Sequence, residues 1–325
     1  MGILDPQYQS EDAARAYLES ILWPDGPQCP GCGVINEATK LQREEGTDTH
    51  GRKGLYQCKG CRRQFTITVG TIFEDSHIPL HKWLMAIHLM CSSKKGVSAL
   101  QLQRELWGEQ PAKGGEKKQL KGSYRTSWFM CHRIRWAMTQ SPMVDALRKL
   151  SGTVEADETY VGGREKGKRG IPGAGSKKTP VLALLERGGD VRSFPIKRAT
   201  LENIKPIIQQ HVDPSSHLVT DEAALYFWTK DAVPQHHRIN HHSGEYVRHE
   251  ADFTVTTNTV ESFFAILKRS NYGIYHHMSR KYLGSYCAER DFVYNGRKLT
   301  DTQRTDKAIK ATIGRRLMLN RPKEG

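Results

Sequence analysis

The chain has 325 residues, about twice a common single domain, which favours two or three folded units with ample length for a buried core. Lys and Arg number 49 against 35 Asp and Glu, a net charge of +14, and 37% of residues are hydrophobic. No stretch approaches the roughly 18–20 apolar residues of a membrane helix, and the N-terminus is too acidic for a secretory leader, so a cytoplasmic protein is expected. Residues 91–150 carry a local +8 and residues 262–325 a local +9. Two basic arms around a near-neutral middle suit a polyanion held from two sides; a solubility surface is the plain alternative.

Residues 10–23 read as an amphipathic helix capped by Ser10, with Ala14, Tyr17, Leu18 and Ile21 at helical spacing. Cys29-Pro-Gly-Cys32 and Cys58-Lys-Gly-Cys61 follow, separated by 25 residues. Each knuckle sets two sulfurs on one side of a metal, and two knuckles at this distance match a four-thiolate zinc ribbon. Gly31, Gly33 and Gly60 are placed to relieve the backbone where it curls. A redox motif needs one pair, and a disulfide framework would draw in Cys91, Cys131 and Cys287, which read as ordinary buried residues. The ribbon is expected to end near Gly70 after a strand over 64–69. Helical spacing resumes with Trp83, Ile87 and Met90, and again after Ser98 with Ala99, Leu102 and Leu106. A Gly/Lys-rich insert over 108–122 precedes a third helix over 123–138. Met130, Ile134, Ala137 and Met138 mark its apolar side, while Arg125, Arg133 and Arg135 are expected to point elsewhere. Three short helices with a basic last one are helix-turn-helix-like, with a helical linker as the alternative.

From residue 151 the pattern changes to strands. Residues 153–161 read as the first; 180–186 and 191–196 flank Arg187-Gly-Gly-Asp190 as a hairpin. Thr200 opens a helix with Leu201, Ile204 and Ile208 on one face, and 217–221 and 238–241 read as further strands. Residues 258–270 form a helix with a stripe of Val260, Phe263, Phe264 and Leu267. This order is that of an α/β domain with a mixed sheet. The Gly/Lys-rich segment 162–178 reads as a mobile loop.

Three acids stand out. Asp157 lies inside the first of these strands, Asp221 ends another, and Glu261 sits in the first turn of the 258–270 helix. An acid within an apolar strand is costly unless paired, hydrogen-bonded or bound to metal. Two strand aspartates and one helix glutamate can hold two Mg²⁺ ions about 3.5–4 Å apart for phosphoryl transfer. Each acid also has an ordinary reading: Glu261 in a capping box begun by Asn258, Asp221 as cap of a helix from Ala223, Asp157 paired with an arginine.

At these residues the chain resembles bacterial insertion-sequence transposases of the IS1595, or ISXO2-like, family. The resemblance runs from about residue 10 to 298. It rests on the first cysteine knuckle, Ala156-Asp-Glu-Thr-Tyr-Val-Gly-Gly163, Thr220-Asp-Glu222, Asn258-Thr-Val-Glu-Ser-Phe-Phe-Ala-Ile-Leu-Lys-Arg269 and Tyr272-Gly-Ile-Tyr-His-His-Met-Ser279. It implies a ribonuclease-H-like catalytic domain with Asp157, Asp221 and Glu261 as the metal triad, at a third position where the family also uses Asn or His. It further implies a lysine seven residues on, which Lys268 matches. At 100° per residue Lys268 lies 20° around the helix from Glu261 and about 10 Å along it, on a side the apolar stripe does not claim. The insert at 108–122 departs from the family pattern.

The expected organisation is an N-terminal helix and zinc ribbon (1–75), a helical DNA-binding region (76–150), a DDE-type catalytic domain (151–298) and a basic C-terminal tail (299–325). The expected function is a DNA transposase cutting transposon ends and joining them to target DNA, with one structural Zn²⁺ on Cys29, Cys32, Cys58 and Cys61 and two catalytic Mg²⁺ or Mn²⁺. Its partners are double-stranded DNA, as terminal inverted repeats and target, and further copies of itself as a dimer or higher oligomer. Arg125, Arg133, Arg135, Lys268, Arg269, His276 and His277 are the expected DNA contacts. Seven histidines crowd the later half without the spacing of a second zinc site, and Trp136 and Trp228 read as core residues. The alternatives are a domesticated zinc-ribbon regulator that binds DNA without cutting it and a structure-specific nuclease.

Overall fold

The computed structural model describes residues 2–41, 53–108, 122–139, 148–162, 178–221, 226–228, 233–240, 243–250 and 253–317. Its helices are α1 (Glu11–Leu22), α2 (Leu80–Ser92), α3 (Ala99–Trp107), α4 (Tyr124–Met138), α5 (Leu201–His211), α6 (Asn258–Ser270), α7 (Leu283–Asn295) and α8 (Asp301–Lys310). Its strands are β1 (Ala38–Lys40), β2 (Tyr56–Cys58), β3 (Gln64–Phe65), β4 (Thr153–Val161), β5 (Thr179–Glu186), β6 (Val191–Pro195), β7 (His217–Asp221), β8 (His236–Ile239), β9 (Arg248–His249) and β10 (Thr254–Val255). Two compact units result: Met1–Ser92, Ser98–Met138 and Leu299–Gly325 in one, Ser93–Val97 and Thr139–Lys298 in the other.

In the first unit Ser10 caps α1 by accepting from the Ala13 amide, and Ala14, Leu18 and Leu22 bury its apolar face. Strands β1, β2 and β3 form a small antiparallel sheet, with Ala38 opposite Cys58 and Tyr56 opposite Phe65. Its core is Cys29, Tyr56, Cys58 and Phe65, with Trp23 edge-on to Tyr56 at 5.3 Å. Beyond Phe65 the strand expected over 64–69 gives way to a turn, closed by the Val69 amide on the Thr66 carbonyl. Residues 299–325, expected as a tail, contain α8. Its Arg304 donates through Nε to the Cys91 carbonyl (2.9 Å), and the Thr305 hydroxyl meets His88 Nδ1 at 3.1 Å.

The second unit is built on a five-stranded sheet of order β6-β5-β4-β7-β8, antiparallel from β6 to β4 and parallel from β4 to β8. Strand β5 is an unbroken apolar run because both its faces are covered. Val181, Ala183 and Leu185 meet Val260, Phe263, Phe264 and Leu267 of α6, and Leu182 and Leu184 meet Ile204 and Ile208 of α5. This mixed sheet between helices is consistent with a ribonuclease-H-like domain. The expected bounds of β4, β7 and α6 are those observed, while the strand expected over 238–241 starts earlier, at His236. The segments 108–122 and 162–178 and the helix expected from Ala223 lie almost wholly outside the described residues. No helix among the described residues is long and apolar enough to cross a membrane.

Candidate active site and metal centre

Strand β4 alternates between two environments. Glu155, Asp157 and Val161 face α6; Val154, Ala156 and Glu158 face α5 and Tyr226, whose hydroxyl donates to Glu158. Thr153 pairs with His217, Val154 with Leu218 and Glu155 with Val219. Continuing that register by two residues sets Asp157 alongside Asp221 on the α6 side, strands about 4.8 Å apart. Glu261 stands in the first turn of α6, beside Val260, whose amide bonds to β4. The three sequence-predicted acids, from β4, β7 and α6, therefore lie on one side of the sheet, with Glu261 exposed; among the described residues only the four cysteines below bring three or more metal-ligating atoms within 4.8 Å of one another.

Their charges act on one another. Burial, then Glu158, then Asp221 and Glu261 push the Asp157 carboxyl up to about 7, against the pull of a hydrogen bond from the Glu158 amide (2.8 Å). The Glu158 carboxyl is raised as well, first by burial and then by Asp221, with the Tyr226 hydroxyl opposing. The charged groups that move Asp157 most are thus all acids. Hard carboxylate oxygens on one side of a sheet are the donor set that Mg²⁺ or Mn²⁺ accepts. Thr257, not Asn258, is at the N-cap position of α6, so the alternative reading of Glu261 in a box begun by Asn258 does not hold; the Glu261 carboxylate accepts from the Thr257 hydroxyl at 3.1 Å. No ion pair of Asp157 with an arginine is present among the described residues.

Two residues of this site escaped sequence reasoning. Glu155 is fully buried, and Arg187, in the hairpin turn after β5, pairs with it at 2.9 Å. In the sequence Arg187 reads as part of a turn signal. The available signal was Glu155 itself, an acid two residues before Asp157 on the covered face of an apolar strand.

In the first unit the Sγ atoms of Cys29, Cys32, Cys58 and Cys61 lie within 4.8 Å of one another, with Cys29–Cys61 and Cys32–Cys58 both at 3.6 Å. Four sulfurs about 2.3 Å from a tetrahedral Zn²⁺ sit about 3.8 Å apart, so the set fits a structural zinc ribbon. Although burial opposes it, amide donors including Cys32 and Gly31 draw the Cys29 thiol down to about 6. Of the glycines expected to relieve the knuckles, Gly33 alone has positive φ (+78°); Arg62 takes the matching place after the second knuckle at +58°. Cys91, Cys131 and Cys287 are buried as expected.

The profile for the ISXO2-like transposase domain matches residues 149–295, and that for the transposase zinc-ribbon domain matches residues 9–64. The chain carries an ISXO2-like transposase domain behind a transposase zinc ribbon. An uncharacterized protein in transposable element ISH50 of Halobacterium salinarum is 28% identical over 282 residues, 81% of this chain and 83% of that one.

The expected DNA contacts of this transposase divide by burial. Lys268, Arg269, His276 and His277 are exposed, as is Arg125. Arg133 and Arg135 are not: they are 7% and 2% exposed. Arg133 donates through Nη2 to the Glu74 carbonyl (2.8 Å) and lies 5.4 Å from the Trp83 ring centroid, so it packs within the unit instead of reaching outward. Trp136, read as core, is 39% exposed with the Arg315 guanidinium over its ring, whereas Trp228 packs against the α5-side core as expected.

Proposed function

We propose that this transposase cuts the ends of its element and joins them to target DNA, using Asp157, Asp221 and Glu261 to hold the divalent cations of the reaction. The reading is supported by the placement of the three acids on one side of the sheet, where Asp221 and Glu261 add to the burial that raises Asp157. Water first attacks a phosphate at the transposon end and frees a 3′-hydroxyl, which then attacks target DNA in line. A bound cation pair supplies positive charge at the phosphate and lowers the pKa of the attacking oxygen's proton. Asp157, held partly protonated by burial and its acidic neighbours, would have to be ionised to serve as a cation ligand. Lys268 and Arg269, exposed at the end of α6, hold the DNA backbone as fixed positive charges. The zinc ribbon and helices α2–α4 recognise the ends, with Arg125 as a phosphate contact, in a dimer or higher oligomer on double-stranded DNA.

The test uses labelled duplexes carrying the ends of the element around the gene, with a target plasmid. Wild type should nick and then join them. Asp157→Asn, Asp221→Asn and Glu261→Gln should each lose both steps while binding the ends with wild-type affinity. Cutting without joining would favour the nuclease reading, and binding without either step the regulator. Lys268→Ala should lower joining more than binding, with Lys268→Arg partly active; wild-type joining by Lys268→Ala would remove this lysine from the site.

A further inference from the structure

Glu155 lies on the same face of β4 as Asp157, yet every partner it has points to α6. Its Oε1 accepts from Arg187 Nε (3.1 Å), Arg187 Nη2 (2.9 Å) and the Thr259 hydroxyl (2.8 Å), and its Oε2 from the Val260 amide (2.9 Å). Arg187 also donates through Nη1 to the Thr254 carbonyl (2.7 Å) and through Nη2 to the Thr256 carbonyl (3.1 Å). The two side chains thus grip the chain before and after Thr257, the cap of α6. Glu261 follows Val260 directly.

Apolar packing does not set the position of Glu261 finely enough by itself. The stripe of Val260, Phe263, Phe264 and Leu267 fixes which side of α6 faces the sheet. A slip by one residue along the axis moves a side chain about 1.5 Å. Metal–ligand distances hold to about 0.2 Å. Directional hydrogen bonds from a rigid strand close that gap, and the planar guanidinium of Arg187 meets three acceptors at once in a way a lysine ammonium does not.

We propose that Glu155 and Arg187 are positioning residues that hold the start of α6, and with it the Glu261 carboxylate, against Asp157, so that the three acids form one divalent-cation site. This rests on the reading of the acids as a cation site, and the test separates the two. Mn²⁺ binding to full-length, zinc-loaded protein is measured by electron paramagnetic resonance of the free ion for wild type, Arg187→Lys, Thr259→Val and Asp157→Asn. Zinc content, thermal melting, and amide exchange over 254–262 are followed alongside. Arg187→Lys should weaken Mn²⁺ binding about tenfold, in the range for residues that support metal ligands. Thr259→Val, which removes one hydrogen bond and leaves the ion pair, should weaken it about threefold. Both should exchange faster over 254–262 and keep wild-type zinc content. Should Arg187→Lys lose its cooperative melt, Thr259→Val decides. Wild-type Mn²⁺ affinity in folded variants, with Asp157→Asn deficient, overturns the positioning role alone. Wild-type affinity in Asp157→Asn overturns the cation site and the positioning role together.

Discussion

The zinc ribbon and the five-stranded sheet bury charge in opposite ways. The ribbon's core has four buried residues, two of them metal-ligating cysteines. Among the described residues, thirteen buried apolar side chains pack between the sheet and α6 and its neighbours, and twelve on the α5 side. In the ribbon the ligands are the core, so the fold depends on what they hold. In the sheet the apolar faces are self-sufficient, and Asp157, raised by burial and by its acidic neighbours, is a group the fold holds at a cost. A covered thiol is structural in one region, and a covered acid is costly in the other.

The largest effect expected from this contrast follows metal removal. Structural zinc contributes about 10–16 kcal/mol in small fingers, far more than a four-residue core supplies. Chelation, or Cys58→Ser, should abolish amide-exchange protection over 27–65 and leave β4, β5 and α6 protected. Loss of protection in both regions at once would break the comparison.

The helical part of the first unit sharpens it at smaller scale. Arg133→Ala leaves the Glu74 carbonyl and the Trp83 face without their partner and should lower stability by about 1–3 kcal/mol in urea unfolding. Arg125→Ala should leave stability unchanged and reduce the salt dependence of DNA binding by about one phosphate contact. The reverse pattern would return Arg133 to the DNA-facing surface.

A pH dependence confined to the sheet is also expected. The Asp157 carboxyl stands at about 7 in the folded, cation-free protein against 3.8 ordinarily, so the native state holds an extra proton between those values. Its contribution to stability therefore falls as pH rises from about 4 to about 7 and then levels off. The advantage of Asp157→Asn over wild type in melting temperature should grow across that window and flatten above it. Parallel curves from pH 4.5 to 8 would show that Asp157 is not burdened by its neighbours.

Local patterns made much of this protein legible in its residues. The bounds of β4, β7 and α6, the Ser10 cap and the cysteine knuckles depend on periodicity and spacing within a few residues, and so could be read directly. Whether a given charge is buried does not depend on its neighbours in sequence. Arg133 lies under the backbone of Glu74, 59 positions earlier, and Glu155 meets Val260, 105 positions later. Helix α8 returns from the end of the chain to lie against α2, which a reading by local charge took for a tail. The sequence by itself determined most helices of the first 270 residues, the main strands of the larger sheet, the four-cysteine cluster and the candidate acids. Tertiary structure alone decided which arginines are buried and which buried acid is paired with one, because desolvation is imposed by whatever distant segment covers the group.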